Sequence, residues 1–210
     1  MSLASALKDW LPSGVHFGVS DPKQHYPLLG SERAAVENAI EKRQTEFSAG
    51  RAAARQALIS LGQEPCEIPV GHRRAPQWPA GFCGAITHSK SICIAIVAQH
   101  HKFRALGIDA EPDIPLKDAL RSAILHESES YVSAEEAIAL FSMKEALFKT
   151  MFPITQEWIG FHAAKRMGEN QLELTKSFGE FSAGHRFDVP TLKVAGHVIS
   201  FCSLKGGDND

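Results

Sequence analysis

With 210 residues, 44% of them apolar and 22% charged, the chain is long enough for one ordinary domain or two small ones, each with its own core. A formal net charge of −2 offers no global field to draw in nucleic acid or an anionic membrane, so any anion must be held by a local cluster. The longest apolar run, 92–98, is far too short to span a bilayer, and the N-terminus lacks the basic-then-apolar layout of a secretory signal. Cys66, Cys83, Cys93 and Cys202 have no C-x-x-C spacing and the histidines show no H-x-x-x-H pair, which argues for reduced thiols in a cytoplasmic protein and against zinc.

In chain order, the first thirty residues read as loop, broken by Pro12, Pro22 and Pro27, with one short strand at 15–19. Ser31 reads as the N-cap of a helical stretch. The Ala-rich segment 47–61, with Phe47, Ala54, Leu58 and Leu61 on one face, predicts a helix that Gly62 stops. Arg51 and Arg55 stand four residues apart on it and, with Lys42 and Arg43 upstream, form a basic patch. A proline-studded connection, 65–80, carries Gly71-His72-Arg73-Arg74. Three strands follow, at 84–87, 92–97 and 105–109, the first two joined as a hairpin by His88-Ser89-Lys90. The polar stretch 99–104 is the boundary between two halves, 1–104 and 105–210. Short helical segments are expected at 116–125 and 127–131. Ser133-Ala-Glu-Glu136 is a capping box opening a long helix from Ala134 to about Met151, ended by Pro153. The remainder reads as strands, with a hairpin at Gly168-Glu169-Asn170 and a disordered tail from Gly206. No repeat of obvious period is visible.

Asp109 and Glu111 alternate onto one face of the third strand. Two acids so close repel unless a cation lies between them, and Mg²⁺ with oxygen ligands is the simplest neutraliser. Glu145 and Lys149, four apart on the long helix, add a third acid and a base. Arg51, Arg55, Arg73 and Arg74 offer charge to a polyanionic ligand, and His88, between Thr87 and Ser89, offers a donor to phosphate. The residues alone support Mg²⁺-dependent chemistry on a phosphate ester or anhydride, and the missing G-x-x-x-x-G-K-[ST] loop argues against P-loop chemistry.

Gly107-Ile-Asp109-Ala-Glu111 resembles the G-I-D-x-E motif of the 4′-phosphopantetheinyl transferase family. Phe141-Ser-Met-Lys144-Glu145-Ala-Leu-Phe148-Lys149, about thirty residues on, resembles its [WF]-[SA]-x-K-E-[SA]-x-x-K motif. Pro76-Gln-Trp78-Pro79-Ala-Gly81 through Thr87-His88-Ser89 is similar to the W-P segment of the enterobactin-synthetase-type subgroup, and 42–55 to its upstream helix. Ala110, Thr87, Ala85 and Ala146 depart from the commoner residues without removing a charged group.

The resemblance implies an α+β fold in which two similar α/β halves form a pseudo-dimer with the active site between them. It implies a monomeric enzyme, a holo-[acyl-carrier-protein] synthase, that moves the phosphopantetheine arm of coenzyme A to a serine of a carrier protein. Mg²⁺ would be held by Asp109, Glu111 and Glu145. Lys149 with His88 would steady the leaving phosphate, and the base would be Glu145 or a metal-bound water with Glu111. Arg43, Arg51, Arg55, Arg73 and Arg74 compete for the 3′-phosphate of coenzyme A. The resemblance matches Arg43 and either Arg73 or Arg74, and Arg51 and Arg55 have bracing of the helix as the alternative. Thr87 and His88 are further coenzyme A candidates. Two rival functions remain open: a non-catalytic coenzyme A or carrier-binding module, and another Mg²⁺-dependent phosphoryl transferase.

Overall fold

The computed structural model describes residues 2–206, so the expectation of a disordered tail falls, apart from Gly206, outside the described residues. The chain divides into two compact units: the chain through Leu106 together with its C-terminal end from Leu204, and Gly107–Ser203. The division lies two residues beyond the boundary read from the sequence, and the last strand returns its end to the first unit. Both units mix helices with antiparallel strands.

The first unit opens with α1 (Leu3–Trp10), followed by β1 (His16–Ser20), α2 (Glu41–Ile59), β2 (Phe82–His88) and β3 (Cys93–Gln99). The opening thirty residues are therefore not all loop. Ser2 caps α1 by accepting from the Ser5 amide, and Pro12 follows the helix rather than interrupting it. Ser31 caps no α-helix: it sits in a 3-10 turn, Gly30–Glu32, and its amide and hydroxyl both donate to Glu67. The sheet order is β1-β3-β2, antiparallel throughout. Small side chains let α2 lie close on it. Ala53, Ala54 and Ala57 are fully buried with Leu58, Ile68, Ala95 and Val97, and Trp78, Phe82 and Ile86 pack at the rim. At the crossing with β1 only glycine fits, because a Cβ on Gly18 would stand 2.0 Å from the Ala53 carbonyl oxygen.

The second unit follows the same plan with different residues. β4 (Phe103–Pro112) leads to α3 (Asp118–Ile124) and α4 (Ala134–Thr155), and the hairpin of β8 (Thr191–Val194) and β9 (His197–Lys205) completes a sheet ordered β4-β9-β8. Strand, helix and hairpin recur, with the first strand paired to the third in both units. A separate sheet, β5 (Ala164–Gly168), β6 (Gln171–Leu174) and β7 (Arg186–Asp188), is inserted between α4 and β8, with its first turn at 169–170. The capping box holds as the sequence reads, Ser133 Oγ accepting from Glu136 N and Glu136 from Ser133 N. α4 runs past Pro153, however, because the proline falls in its last turn, and the helix ends at Gln156 in the left-handed region (φ 55°). Among the described residues no helix is long and apolar enough to cross a membrane.

Each unit also uses a buried glutamate as a hub. Glu32, 0% exposed, accepts from Arg55 and from the Leu29 and Ile68 amides. Glu129, 1% exposed, accepts from Lys144 and from the His126 and Arg166 amides. Saturated with hydrogen bonds, these acids tolerate burial that an unpaired charge would not.

Candidate active site

The site in the second unit is set by how closely α4 approaches β4. Gly107, Asp109 and Glu111 alternate onto one strand face. A Cβ on Gly107 would lie 1.9 Å from the Ala146 carbonyl oxygen and 2.3 Å from Thr150 Oγ1, so the helix backbone presses directly on the strand. Thr150 pins the contact, its hydroxyl bonding the Ala146 carbonyl at 2.9 Å and the Cys202 carbonyl of β9 at 3.2 Å. That packing brings Glu145 and Lys149, on either side of Ala146 along the helix, against the acids of the strand. Lys149 Nζ donates to Asp109 Oδ1 at 2.7 Å and to the Ile108 carbonyl at 3.1 Å.

Electrostatically the corner holds more negative charge than Lys149 offsets. Burial first, then the neighbouring charge of Asp109, with Glu145 adding to it, outweigh the pull of Lys149 and raise the Glu111 carboxyl to about 7. Glu145 is raised as well, by burial first and by Asp109 after it, against Lys149. Asp109, Glu111 and Glu145 are hard oxygen donors, the chemistry that suits Mg²⁺. Among the described residues no three His, Cys, Asp or Glu side chains are already gathered around a metal position. That is compatible with Mg²⁺, which takes one or two carboxylates and completes its shell with water and substrate phosphate.

Glu145 also lines a cleft of about 360 Å³ with Leu147, Phe148, Trp158, Ile159 and Phe161. Phe148 and Trp158 meet edge to face at 5.0 Å, leaving Trp158 71% exposed. Lys144, next to Glu145 in sequence, is buried and braces the fold, bonding Glu129 at 2.7 Å and the Ile124 carbonyl at 2.9 Å.

The anion-binding candidates of the first unit are not one cluster of like groups. Arg51 is 5% exposed, and its Nε donates to the Ile68 carbonyl at 2.6 Å. Arg55 braces the fold through Glu32 and the Pro27 carbonyl. Arg43 and Arg51 both stand over the Phe47 ring, at 6.0 and 4.3 Å from its centroid. Arg73 and Arg74 lie exposed on a separate turn, both at positive φ (50° and 68°), a conformation that costs a non-glycine residue roughly 1–3 kcal/mol and is held mostly at functional loops. Thr87 is buried near the end of β2, and His88 is exposed at its last position.

Sequence reasoning missed Phe47 and Glu129 as site-building residues. Glu129 gave no signal: it closes a reciprocal capping turn with His126, a residue type that does not mark such a box in sequence. Phe47 gave none beyond an aromatic between two arginines at helical spacing.

Comparison with known proteins settles the lineage. The 4′-phosphopantetheinyl transferase N-terminal domain matches residues 31–98, and the 4′-phosphopantetheinyl transferase superfamily matches residues 105–202. The chain belongs to the 4′-phosphopantetheinyl transferase superfamily. The 4′-phosphopantetheinyl transferase Npt of Nocardia iowensis is 36% identical over 165 residues, covering 73% of this chain and 72% of the relative. The 4′-phosphopantetheinyl transferase Svp of Streptomyces mobaraensis is 35% identical over 207 residues, 94% of this chain and 80% of the relative. Enterobactin synthase component D of Escherichia coli (strain K12) is 34% identical over 125 residues, 55% of this chain and 58% of the relative. The superfamily match of the second unit spans the whole Gly107-to-Lys149 corner. This phosphopantetheinyl transferase thus carries its acid cluster where β4 and α4 touch.

Proposed function

We propose that the protein transfers the 4′-phosphopantetheine moiety of coenzyme A to a serine of an apo acyl, aryl or peptidyl carrier protein, releasing adenosine 3′,5′-bisphosphate. It would work as a monomer in the cytoplasm, with residues 1–104 contributing the coenzyme A contacts and 105–210 the metal corner. The observation that carries this reading is the juxtaposition of Asp109, Glu111, Glu145 and Lys149 at the Gly107 crossing, in a chain of this superfamily.

In the transfer the serine Oγ forms a bond to the β-phosphorus of coenzyme A as the pyrophosphate P–O bond to the α-phosphate breaks. Asp109 and Glu145, with Glu111, would hold Mg²⁺; when bound, that ion neutralises pyrophosphate charge and acts as a Lewis acid. Glu145 accepts the serine proton, a role supported by its place on an open cleft and by the burial that raises its proton affinity. Lys149 would steady the charge that develops on the leaving phosphate, and His88 is a candidate donor to a phosphate of coenzyme A. Arg43 and Arg51 take the 3′-phosphate of the coenzyme, and the Arg73-Arg74 turn supplements them. A non-catalytic binding module is disfavoured because Asp109, Glu145 and Lys149 are all retained.

The test is intact-mass spectrometry of apo carrier proteins incubated with the enzyme, coenzyme A and Mg²⁺. Addition of one phosphopantetheine, with adenosine 3′,5′-bisphosphate appearing in step, is the expected result. Coenzyme A binding without any mass gain on carriers that another transferase can load would favour the binding module.

A further inference from the structure

The reading of Arg43 and Arg51 as ligands of the coenzyme's 3′-phosphate leaves unexplained how two like charges are held ready for an anion. Their Cα atoms are two helical turns, about 12 Å, apart on α2. Their guanidinium carbons nevertheless converge on one ring, at 6.0 and 4.3 Å from the Phe47 centroid. Phe47 is itself 7% exposed, so the ring is fixed by packing rather than free to turn aside.

A carboxylate in that place would attract both arginines but would also accept their hydrogen bonds and cancel their charge. An aromatic face attracts a cation through its quadrupole and accepts no strong hydrogen bond, so the donors stay available. The surroundings fit that economy. Arg51 is anchored through Nε to the Ile68 carbonyl and through one terminal nitrogen to the Pro69 carbonyl, neutral acceptors that fix its plane and leave its charge in place. Glu32, whose field also reaches Arg51, is hydrogen-bonded to Arg55. Burial, with Arg55 and Arg43 close by, pulls the Arg51 guanidinium down to about 10, which still leaves it charged at neutral pH.

We infer that Phe47 is a positioning residue for recognition of the 3′-phosphate: its ring gathers Arg43 and Arg51 into a two-pronged cationic subsite and thereby sets the preference for coenzyme A over 3′-dephospho-coenzyme A. This rests on the proposed transferase reaction and on the assignment of both arginines to that phosphate. It adds a residue that carries no charge and touches no substrate.

The experiment compares KM and kcat for coenzyme A and for 3′-dephospho-coenzyme A with a loadable apo carrier. Phe47→Leu keeps an apolar filler but removes the quadrupole, and should raise KM for coenzyme A about tenfold, the scale of one to two cation–π contacts. Its kcat and its KM for the dephospho substrate should stay at parent values, and Phe47→Tyr should restore the parent KM. Should Phe47→Leu fold poorly, replacing Phe47 by pentafluorophenylalanine keeps the ring's shape and inverts its quadrupole, and the same selective loss is expected. A KM rise equal for both substrates, or none for the fluorinated ring, overturns the inference. A parent enzyme that does not distinguish the two coenzymes, or Arg43→Ala and Arg51→Lys variants that leave the preference intact, would instead refute the phosphate assignment on which it stands.

Discussion

Gly107→Ala should damage catalysis through geometry alone. The added methyl would sit 1.9 Å from the Ala146 carbonyl oxygen, where Cβ contacts shorter than 3.0 Å are essentially never found. α4 and β4 must therefore part by at least about 1 Å, and the Thr150 hydroxyl, 2.3 Å from the same point, blocks the alternative of sliding. Glu145 and Lys149 ride on the displaced helix while Asp109 and Glu111 stay on the strand. A misplacement of about 1 Å at reacting groups costs on the order of 10²-fold in rate, or roughly 2.7 kcal/mol of barrier. Overpacking adds about 1–3 kcal/mol of lost stability, a fall in Tm of several degrees for a chain of this size. The assay is phosphopantetheine transfer at saturating coenzyme A beside a thermal melt. Gly18→Ala is the control: it makes the same clash, 2.0 Å from the Ala53 carbonyl oxygen, under a helix that carries arginines instead of the acids. A comparable loss of stability should there raise KM for coenzyme A and spare kcat. A Gly107→Ala enzyme with parent kcat, or a kcat loss equal in the two variants, would refute the reasoning.

Three further outcomes follow from the geometry. Lys144→Ala leaves the Glu129 carboxylate buried without its cation and should cost about 3–5 kcal/mol, read from the urea midpoint. In the metal-free protein the Glu111 carboxyl is raised above its ordinary value to about 7, so its contribution to stability is fully present below the ordinary value and is lost as pH rises through about 7. Glu111→Gln should then match the parent's stability near pH 4 and exceed it near pH 8 in a chelator, with the advantage erased by added Mg²⁺; equal melting at both pH values would contradict this. Ala195 holds φ 51° beside Gly196 at φ 73° in the β8–β9 turn, the positive-φ pair for which asparagine-glycine is preferred. Ala195→Asn should raise stability by roughly 0.5–1 kcal/mol, a shift of about 1–4 °C in a thermal melt.

What the sequence revealed and what it hid have separate physical causes. α4 was legible because its start is written in side chains: Ser133 and Glu136 cap each other, and the apolar stripe begins at once. α2 starts six residues before the stretch the sequence marks as helix, because its first turn carries no apolar period, and it ends at Ile59, two residues before that stretch does. α1 was lost behind the prolines, although Pro12 lies outside it. The shared plan of the two units was invisible as a repeat. Their closest correspondence is a missing side chain, Gly18 and Gly107, and the residues around it differ: where Lys149 reaches the Ile108 carbonyl, Gln56 accepts from the Val19 amide. The acids were legible as a pair because strand alternation is local, and Glu145 and Lys149 because helix spacing is. Phe47 and Glu129 were not, since their meaning lies in partners they meet only on folding: a ring shared by arginines at 43 and 51, and an amide at 166.

The account stands or falls on Asp109, the carboxylate that Lys149 holds at 2.7 Å and whose charge raises both neighbouring acids. The direct measurement is the rate of phosphopantetheine transfer by Asp109→Ala in saturating coenzyme A and Mg²⁺, on protein whose circular dichroism matches the parent. The account predicts loss of transfer with the fold retained. Transfer at the parent rate would show that the corner between β4 and α4 is not where this enzyme does its chemistry.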